Sequence, residues 1–330
     1  MRPTGWHARW RHAALSATSA AALLCLVQPA AAAYPDRPVT LIVPFAPAGP
    51  TDIIARVLAN VLSQKLGQQF VVDNRAGAAG NTGMGQVARA TPDGYTLMVT
   101  STAIAVNPAL FKKLPYDPFK DFAPISELVN APNVLVVRAD SDIKSIADLI
   151  AKAKAAGAKF AYSSPGAGTK SHLTGELLKL RSGIDMVHVP YRGAGPAAQA
   201  VLEKTVQVGS VALAAAEGLI QGGQLRALAV TSEKRWFSLP KVPTMIESGY
   251  KDFVSDTFNA VFAPARVPQD ILTLLVKESR AAFQQPDVRA LARKAGFEVV
   301  AGTPDQLSAR IKAEIPAVRE LVAKAGIPLQ

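Results

Sequence analysis

The sequence predicts an α/β fold built from two lobes that meet at a cleft. From Tyr34 onward, short runs rich in Val, Ile and Leu alternate with segments of helical period, the pattern of mostly parallel sheets flanked by helices. Glycine-rich turns separate several of these strands from the helices that follow them. Two stretches, 115–132 and 236–256, interrupt the alternation and are irregular or rich in Pro. We therefore expect the chain to cross between lobes at two places.

The first predicted unit is a buried strand at 39–44 followed by a helix. The apolar residues of this helix recur at helical spacing from Ile53 to Leu62, and Gly67 ends it. Further strands are predicted at 70–72, 95–99, 134–137, 160–162, 186–189, 206–210, 225–230 and 260–263. Further helices are predicted at 146–155, 174–180, 196–204 and 270–283. The lobe crossings are placed near Val136 and Thr257, so residues 34–136 and 257–330 form the expected lobe 1 and residues 137–256 the expected lobe 2.

The first 33 residues have the pattern of a secretory signal peptide. Arg2, Arg9 and Arg11 precede an apolar run at 13–27, and three alanines follow it at 31–33. The run is too short for a comfortable membrane span, so we expect cleavage before Tyr34 and export of the mature chain. Cys25, the only cysteine, lies in this leader, and Leu24 before it is a poor match to a lipoprotein signal. The mature chain therefore has no thiol for a disulfide or a thiolate site.

The charge balance favours anionic ligands but not nucleic acid. Removing the three leader arginines from 36 Lys and Arg leaves 33 against 25 Asp and Glu, a net charge of +8. A nucleic-acid interface would need a basic stripe interleaved with stacking aromatics, whereas these Lys and Arg are scattered. A general attraction for anions and a plain solvated basic surface both fit this distribution.

The loop at 44–52 leaves a buried strand and enters a helix, the place where open α/β sheets bind ligands. Gly49 can expose its backbone, and Pro50 suits the first helical turn, so amide groups and the positive helix end should face the cleft. An anion would fit there. Asp52 lies in the same turn, where it can also simply complement the helix dipole.

Two neighbouring segments of the expected lobe 1 offer polar groups at the same sheet edge. The turn at 74–83 is rich in glycine, and its Asn81 is placed to cap the next helix or to reach the ligand. Ser101 and Thr102 follow the strand at 95–99, where their hydroxyls can contact the ligand or close a turn.

Two further loops belong to the expected lobe 2. The run at 163–172 lacks the upstream glycine of a phosphate-binding P-loop, so we exclude a nucleoside triphosphatase. Gly193, Gly195 and Ala198 formally match a dinucleotide fingerprint, but the match is weak in an exported chain. The glycines more simply let the backbone approach a small ligand, while Tyr191 or Arg192 shapes the cleft. Arg192 can also serve only as a surface ion-pair partner.

Taken in order, these segments resemble the Bug family of tripartite tricarboxylate transporter substrate-binding proteins. The resemblance covers nearly all of the mature chain. It is carried by the segments at 34–39, 44–52, 71–75, 91–97, 116–122, 163–172, 188–191, 225–230 and 242–244. Among them are Tyr-Pro-Asp-Arg-Pro-Val at 34–39, Thr-Pro-Asp-Gly-Tyr-Thr-Leu at 91–97 and His-Val-Pro-Tyr at 188–191.

The resemblance implies a type II periplasmic-binding-protein fold whose two lobes close around a ligand. It implies a monomer in the periplasm that binds a small organic acid and delivers it to membrane permease subunits, with no cofactor, no metal and no catalysis. Carboxylate recognition through backbone amides, hydroxyls and ordered waters is expected from the loop at 44–52 and the loop at 166–169.

The chain departs from the family pattern at three places. Ala48-Gly49 stands where two glycines are usual, Gln207 where an Asp is frequent, and Asn259 where an aromatic residue is often found near the second crossing. Because these positions lie in or near cleft-forming loops, the ligand cannot be transferred from any one relative.

The ligand site predicted from the sequence draws on loops of both lobes. Its residues are Phe45, Ala48, Gly49, Thr51, Ser101, Gly166, Gly168 and Thr169, with Asp52, Asn81, His172, Tyr191 and Gly193 as secondary candidates.

Two other functions compete with transport. One is a sensory module that presents its closed form to a signalling receptor. The other is a periplasmic hydrolase, for which His172 and His188 are the only histidines outside the leader. Two histidines are too few for a three-histidine zinc site, and the chain has no G-x-S-x-G elbow and no H-E-x-x-H motif.

Overall fold

The computed structural model, which describes residues 34–156 and 159–330, contains ten strands and ten α-helices that alternate along much of the chain. The strands are β1 (Val39–Val43), β2 (Phe70–Asn74), β3 (Thr96–Ser101), β4 (Phe122–Arg138), β5 (Ala161–Ser164), β6 (Val187–Pro190), β7 (Val208–Ala212), β8 (Leu225–Val230), β9 (Asp256–Pro264) and β10 (Glu298–Val299). The helices are α1 (Pro50–Leu66), α2 (Asn81–Ala88), α3 (Ala103–Leu110), α4 (Ile146–Ala156), α5 (Lys170–Ser182), α6 (Ala194–Leu202), α7 (Leu213–Gln221), α8 (Gln269–Gln284), α9 (Pro286–Lys294) and α10 (Pro304–Lys324). The predicted signal peptide lies outside the described residues. None of the helices described is long and apolar enough to span a membrane.

The strands form one continuous arrangement in the order β2-β1-β3-β9-β4-β7-β5-β6. β1 pairs in parallel with β2 and β3, and β5 pairs in parallel with β6 and β7. β9 runs antiparallel to both β3 and β4. The parallel pairs at each end are therefore βαβ units, and the long antiparallel strands between them join the two halves.

β4 is the strand that passes from one half of the molecule to the other. It pairs with β9 from Phe122 to Pro132 and then with β7 and β8 from Asn133 to Arg138. The partner exchange falls slightly before Val136, and β9 begins at Asp256, next to the predicted crossing at Thr257. The lobe limits taken from the sequence remain a proposal.

The stretch at 115–132 was predicted to interrupt the alternation of strands and helices, but β4 occupies residues 122–132 of it. Pro124 is accommodated because the pairing with β9 shifts register between Pro124 and Ser126. Proline is tolerated in a strand at such irregularities, where a ladder hydrogen bond is lost anyway. The predicted strand at 134–137 was consequently only the last part of β4. The stretch at 236–256 is irregular, as predicted.

Separate hydrophobic cores support the two halves. Leu135 and Val137 of β4 pack on one face of the part of the sheet formed by β4 to β8, and Val134 and Val136 pack on the other face. This alternation follows from the two-residue period of a strand, and helices cover both faces. In the first half, the side chains of α10 pack with β1, β3 and β9 around Phe262. Both halves therefore hold their strand ends, and the loops that follow them, in fixed positions.

Candidate ligand-binding site

The loops at the strand ends enclose a cavity of about 480 Å³. Its walls come from both halves of the molecule, because it is bounded by the loops after β1 and β3 on one side and after β5 and β7 on the other. The lining residues are Phe45, Ala46, Pro47, Gly49, Pro50, Thr51, Ala79, Ser101, Thr102, Ala103, Val106, Asn107, Leu110, Phe111, Ala131, Pro165, Ala167, Gly168, Thr169, Lys170, Ser171, Gly193, Ala212, Ala214, Thr257, Asn259, Phe297 and Gln330. This size lies within the range of small-molecule sites.

Five helices begin at this cavity. The N-terminal ends of α1, α3 and α5 contribute Thr51, Ala103 and Ser171 to its lining, and those of α6 and α7 contribute Gly193 and Ala212. The N-terminal end of a helix carries a partial positive charge and unpaired amide groups. The cavity is therefore an environment that favours a bound anion.

The first turns of α1 and α5 provide donors for such an anion. The first helical bond of α1 runs from Ile53 N to Gly49 O, so the amides of Thr51 and Asp52 precede the helical ladder. In α5 the first such bond runs from Leu173 N to Thr169 O, which leaves the amides of Lys170 and Ser171 ahead of it. Both helices thus present backbone donors that have no acceptor within the helix.

Asp52 lies behind the cavity wall and shapes the first loop. Its carboxylate accepts hydrogen bonds from Ala48 N at 2.9 Å, from Asn74 Nδ2 at 3.0 Å and from Arg56 Nε at 2.8 Å. Burial raises the pKa of Asp52, but these donors outweigh it and hold the pKa below its ordinary value. Neither Asp52 nor Ala48 lines the cavity, and the hydrogen bonds of Asp52 support the loop.

In the Ala48-Gly49 pair, the residue with the left-handed backbone conformation is Ala48 and not the glycine. Ala48 takes the left-handed conformation with φ 61°, whereas Gly49 has an extended conformation with φ −78°. A glycine is therefore favoured at 48, where a side chain is strained, and not at 49. Ala48 therefore stores backbone strain in the loop that carries the Thr51 amide.

The loop at 165–169 is held by His172. The ring Nδ1 accepts a hydrogen bond from Gly168 N at 3.0 Å, so this amide is already engaged. His172 is buried and does not line the cavity, and Thr169 caps α5 by accepting from His172 N. Gly168 itself lines the cavity with φ 77°, next to Leu110 of α3. His172 therefore fixes the loop from behind.

Asn81 neither caps α2 nor lines the cavity. Gly80 is the N-cap residue, and Asn81 lies in the first turn, buried. Its Oδ1 accepts from Asn107 Nδ2 at 2.7 Å and from Tyr116 Oη at 2.8 Å. Asn107 does line the cavity, so Asn81 orients a wall residue.

The cavity brings together seven of the residues predicted from the sequence: Phe45, Gly49, Thr51, Ser101, Gly168, Thr169 and Gly193. Six lie outside its lining: Ala48, Asp52, Asn81, Gly166, His172 and Tyr191. Contact of any of them with a ligand stays a prediction. The lining residues outside the predicted site include Asn107, Leu110, Phe111, Lys170, Asn259 and Phe297.

Asn259, noted in the sequence near the second crossing but not included in the predicted site, has the clearest chemical signal of these residues. It alternates along β9 with Phe258 and Ala260, which are both core residues, so Thr257 and Asn259 face the cavity side. Its Oδ1 accepts from the Thr51 hydroxyl at 2.7 Å, and its Nδ2 is buried without a partner in the described residues. A two-residue alternation of polar and apolar residues at 257–260 could have identified it.

Lys170 is the charged side chain among the lining residues, and it is ion-paired with Glu314 of α10. The two side chains come from opposite halves of the molecule. The ligand's negative charge would therefore be balanced by helix ends and amide groups more than by an unpaired cation. Within the residues that the structure describes, no group of three or more His, Cys, Asp and Glu could hold a metal ion.

His188 lies beneath the loop at 165–169, and its ring stacks on the ring of His172. The ring centroids are 3.9 Å apart, and His188 Nε2 lies 2.6 Å from Ser164 Oγ. Burial, together with His172 and Lys179, lowers the pKa of His188 to about 3. The folded protein therefore holds this imidazole neutral at every moderate pH.

We expect His188→Gln to be less sensitive to acid than the wild type. Because the pKa is about 3 when folded and about 6.5 when unfolded, the unfolded chain binds more protons between these values, so wild-type stability falls as the pH drops through this window. By pH 4.5 this difference in proton binding lowers the free energy of unfolding of the wild type by about 2 kcal/mol, after allowance for the partial exposure of His188. Urea unfolding of both proteins from pH 7.5 to 4.5 measures it, and parallel pH profiles would contradict it.

The model of one family matches residues 54–327 of the chain. Its description is tripartite tricarboxylate transporter family receptor. The chain belongs to this family. The match begins within α1 and extends through α10, so it includes the cavity-lining loops after β3, β5, β6 and β7 but not the loop at 44–52.

Individual members of the family are similar over nearly the whole chain. Protein BugT of Bordetella pertussis is 38% identical over 299 residues, which cover 90% of this chain and 92% of that protein. The structure of the periplasmic binding protein BugD is 36% identical with a TM-score of 0.80, covering 90% of this chain and all of that one. R. palustris Rpa4515, solved with adipate, is 34% identical with a TM-score of 0.82 and the same coverage. These structures confirm the predicted two-lobed α/β fold and the resemblance to the Bug family.

Proposed function

We propose that this family member captures a small organic acid in the 480 Å³ cavity and delivers it to the membrane subunits of a tripartite tricarboxylate-type transporter. The single observation that carries the proposal is the convergence of five helix N-termini on one cavity. Such a site stabilises an anion without a dedicated arginine. A relative solved with adipate supports an acid as the ligand.

The lobes would be brought together by contacts across the cavity. The loop at Gly168 packs against Leu110, and Lys170 pairs with Glu314, each contact joining opposite halves. A ligand held by amides of both α1 and α5 would add to these contacts and so favour closure. The closed form is then the species that a permease would recognise in the periplasm, after removal of the predicted leader at 1–33.

A hydrolase is the less favoured function. Ser164 and His188 are close enough to resemble a nucleophile and its base. Ser164 is fully buried and does not line the cavity, and a histidine with a pKa of about 3 is a weak base at neutral pH. The pair has the properties of a packed structural contact, which supports binding without catalysis.

Calorimetry on protein purified without refolding tests the proposal. The acids are acetate, hexanoate, benzoate, succinate, adipate, malate and citrate, with glucose and glycine amide as uncharged and cationic controls. We expect at least one acid to bind with a Kd in the micromolar range, about −8 kcal/mol, and neither control to bind. No binding by any acid, together with no ligand released from the native protein in mass spectrometry, would contradict the proposal.

Transport and sensing are separated by a second experiment. Deletion of the membrane genes of the partner transporter should abolish uptake of the bound acid while the binding protein remains present and folded. Unchanged uptake with loss of a transcriptional response in a receptor deletion would favour the sensory function instead.

A further inference from the structure

The walls of the cavity are mainly apolar. Three phenylalanines, Phe45, Phe111 and Phe297, come from distant parts of the chain and meet there with Val106 and Leu110. Val106 and Leu110 are each 2% exposed, so this wall is shielded from bulk solvent. Polar atoms contribute only a small part of the exposed wall. A wall of this kind stabilises a ligand by removing apolar surface from water.

The polar groups of the cavity are mostly engaged with the protein. Lys170 is paired with Glu314, and the Thr51 hydroxyl donates to Asn259. The Gly168 amide donates to His172, and Ser101 Oγ accepts from Ala103 N. The remaining donors are first-turn amides of the helices that begin at the cavity, those of α1 and α5 among them, and the buried Asn259 Nδ2 beside Thr51. These donors lie at the helix ends, which is where a carboxylate would bind.

A second carboxylate would meet the apolar wall. Placing an ionised group against Phe, Val and Leu side chains removes its hydration without a compensating donor, which is strongly unfavourable. A ligand rich in hydroxyl groups would lose hydrogen bonds to water for the same reason. All the acids share a carboxylate, so the wall discriminates between them by the polarity of the rest of the molecule.

Resting on the proposed function, we infer that the preferred ligand is a monocarboxylate with a substantial apolar body, aromatic or aliphatic. The carboxylate lies at the helix ends, and the body lies against Val106, Leu110 and the three phenylalanines. Malate, citrate and other short polar acids are then poor ligands, although the same helix ends would attract them.

Matched pairs of acids test this inference by calorimetry. Butyrate, pentanoate and hexanoate should bind with a gain of about fourfold for each added methylene, and with a negative heat-capacity change. Hexanoate should bind at least about tenfold more tightly than adipate, which has the same length but carries a second charge. Benzoate should bind more tightly than malate.

A pair of variants tests whether the apolar wall causes the preference for apolar acids. Val106→Thr keeps the side-chain shape but places a hydroxyl against the ligand body, so it should weaken hexanoate about tenfold and leave malate unchanged. The matched control is Val71→Thr, at a residue that is 51% exposed on β2, which should bind hexanoate as the wild type does. Circular dichroism and the melting temperature establish that both variants fold.

The outcomes separate this inference from the proposed function. Tight binding of malate, citrate or adipate with no gain along the monocarboxylate series would overturn the inference and leave the proposed function standing. Equal weakening of hexanoate and malate by Val106→Thr would also overturn it. No binding of any acid would overturn both.

Discussion

Gly168→Ala is expected to weaken ligand binding by about 10- to 100-fold. A Cβ at this position would lie 2.6 Å from Leu110 Cδ1, and Leu110 is itself buried in the core formed by α3 and α10. The contact joins opposite sides of the cavity, so relief of the overlap would push the two sides apart. Overpacking of this kind costs about 1–3 kcal/mol, and each 1.4 kcal/mol corresponds to tenfold in Kd.

Gly67→Ala is the matched control for this variant. Gly67 has φ 74° against 77° for Gly168, but a Cβ at Gly67 would meet nothing within 4 Å. Both variants should carry the same backbone strain of about 1–2 kcal/mol, and only Gly168→Ala should lose affinity for the acid that wild type binds best. Leu110→Ala in the Gly168→Ala background should restore part of the affinity. Equal Kd values for both glycine variants would contradict the account.

Arg310→Met is expected to lower the free energy of unfolding by about 3–5 kcal/mol. Arg310 on α10 donates to Glu127 of β4 at 2.6 Å and to Asp256 of β9 at 2.7 Å, and its guanidinium lies over Phe258 at 4.5 Å. Removal of the guanidinium leaves two carboxylates without their cation where β4 and β9 pair. Urea unfolding measures the loss.

The pH dependence of this variant has a definite sign. Burial raises the pKa of Glu127 to about 7, with Arg310 opposing the shift. Without Arg310 the buried carboxyl keeps its proton more readily, so the variant should lose less stability at about pH 5 than at about pH 8. Glu127→Gln added to Arg310→Met should recover part of the loss, because the buried charge is gone.

Arg293→Met is the control at the surface. Arg293 also pairs with a glutamate, Glu298 at 3.0 Å, and lies over Phe237 at 4.9 Å, but its side chain is 54% exposed. An exposed pair of this kind contributes little, so this variant should remain within about 1 kcal/mol of wild type. Comparable losses in Arg293→Met and Arg310→Met would show that burial is not the cause.

The sequence predicted the βα units better than the strands that connect the halves. The unit from β1 to α1 follows from a buried run, a Gly49-Pro50 turn and helical spacing, all of which are local signals. β4 was largely missed because Pro124 and Pro132 indicate a break, and only pairing with β9 accommodates them. Such pairing is a long-range property that no local pattern contains.

The sequence indicated the right loops but not which side chains reach the cavity. Glycine-rich turns after strands are local features, and Gly49, Thr51, Gly168 and Thr169 all line the cavity. His172 and Asn81 are buried behind it, because helix rotation and hydrogen bonds to Gly168 and Asn107 decide their direction. Side-chain direction depends on packing, which spacing alone does not specify.

The wall residues that are far apart in the sequence could not be predicted from local motifs. Phe111 follows α3, and Phe297 precedes β10 near the end of the chain, and neither lies in a glycine-rich turn. They meet only because β9 and β4 bring the last third of the chain back to the first. The chemistry of the wall, and with it the inferred ligand class, therefore required the three-dimensional structure.

A crystal structure of the protein with its best-binding acid would show whether the helix ends hold the carboxylate. We expect the acid inside the cavity, with carboxylate oxygens about 2.7–3.2 Å from first-turn amide nitrogens of α1 or α5, such as those of Thr51 and Ser171. An acid bound elsewhere, or one whose carboxylate points away from these helix ends into solvent, would contradict it.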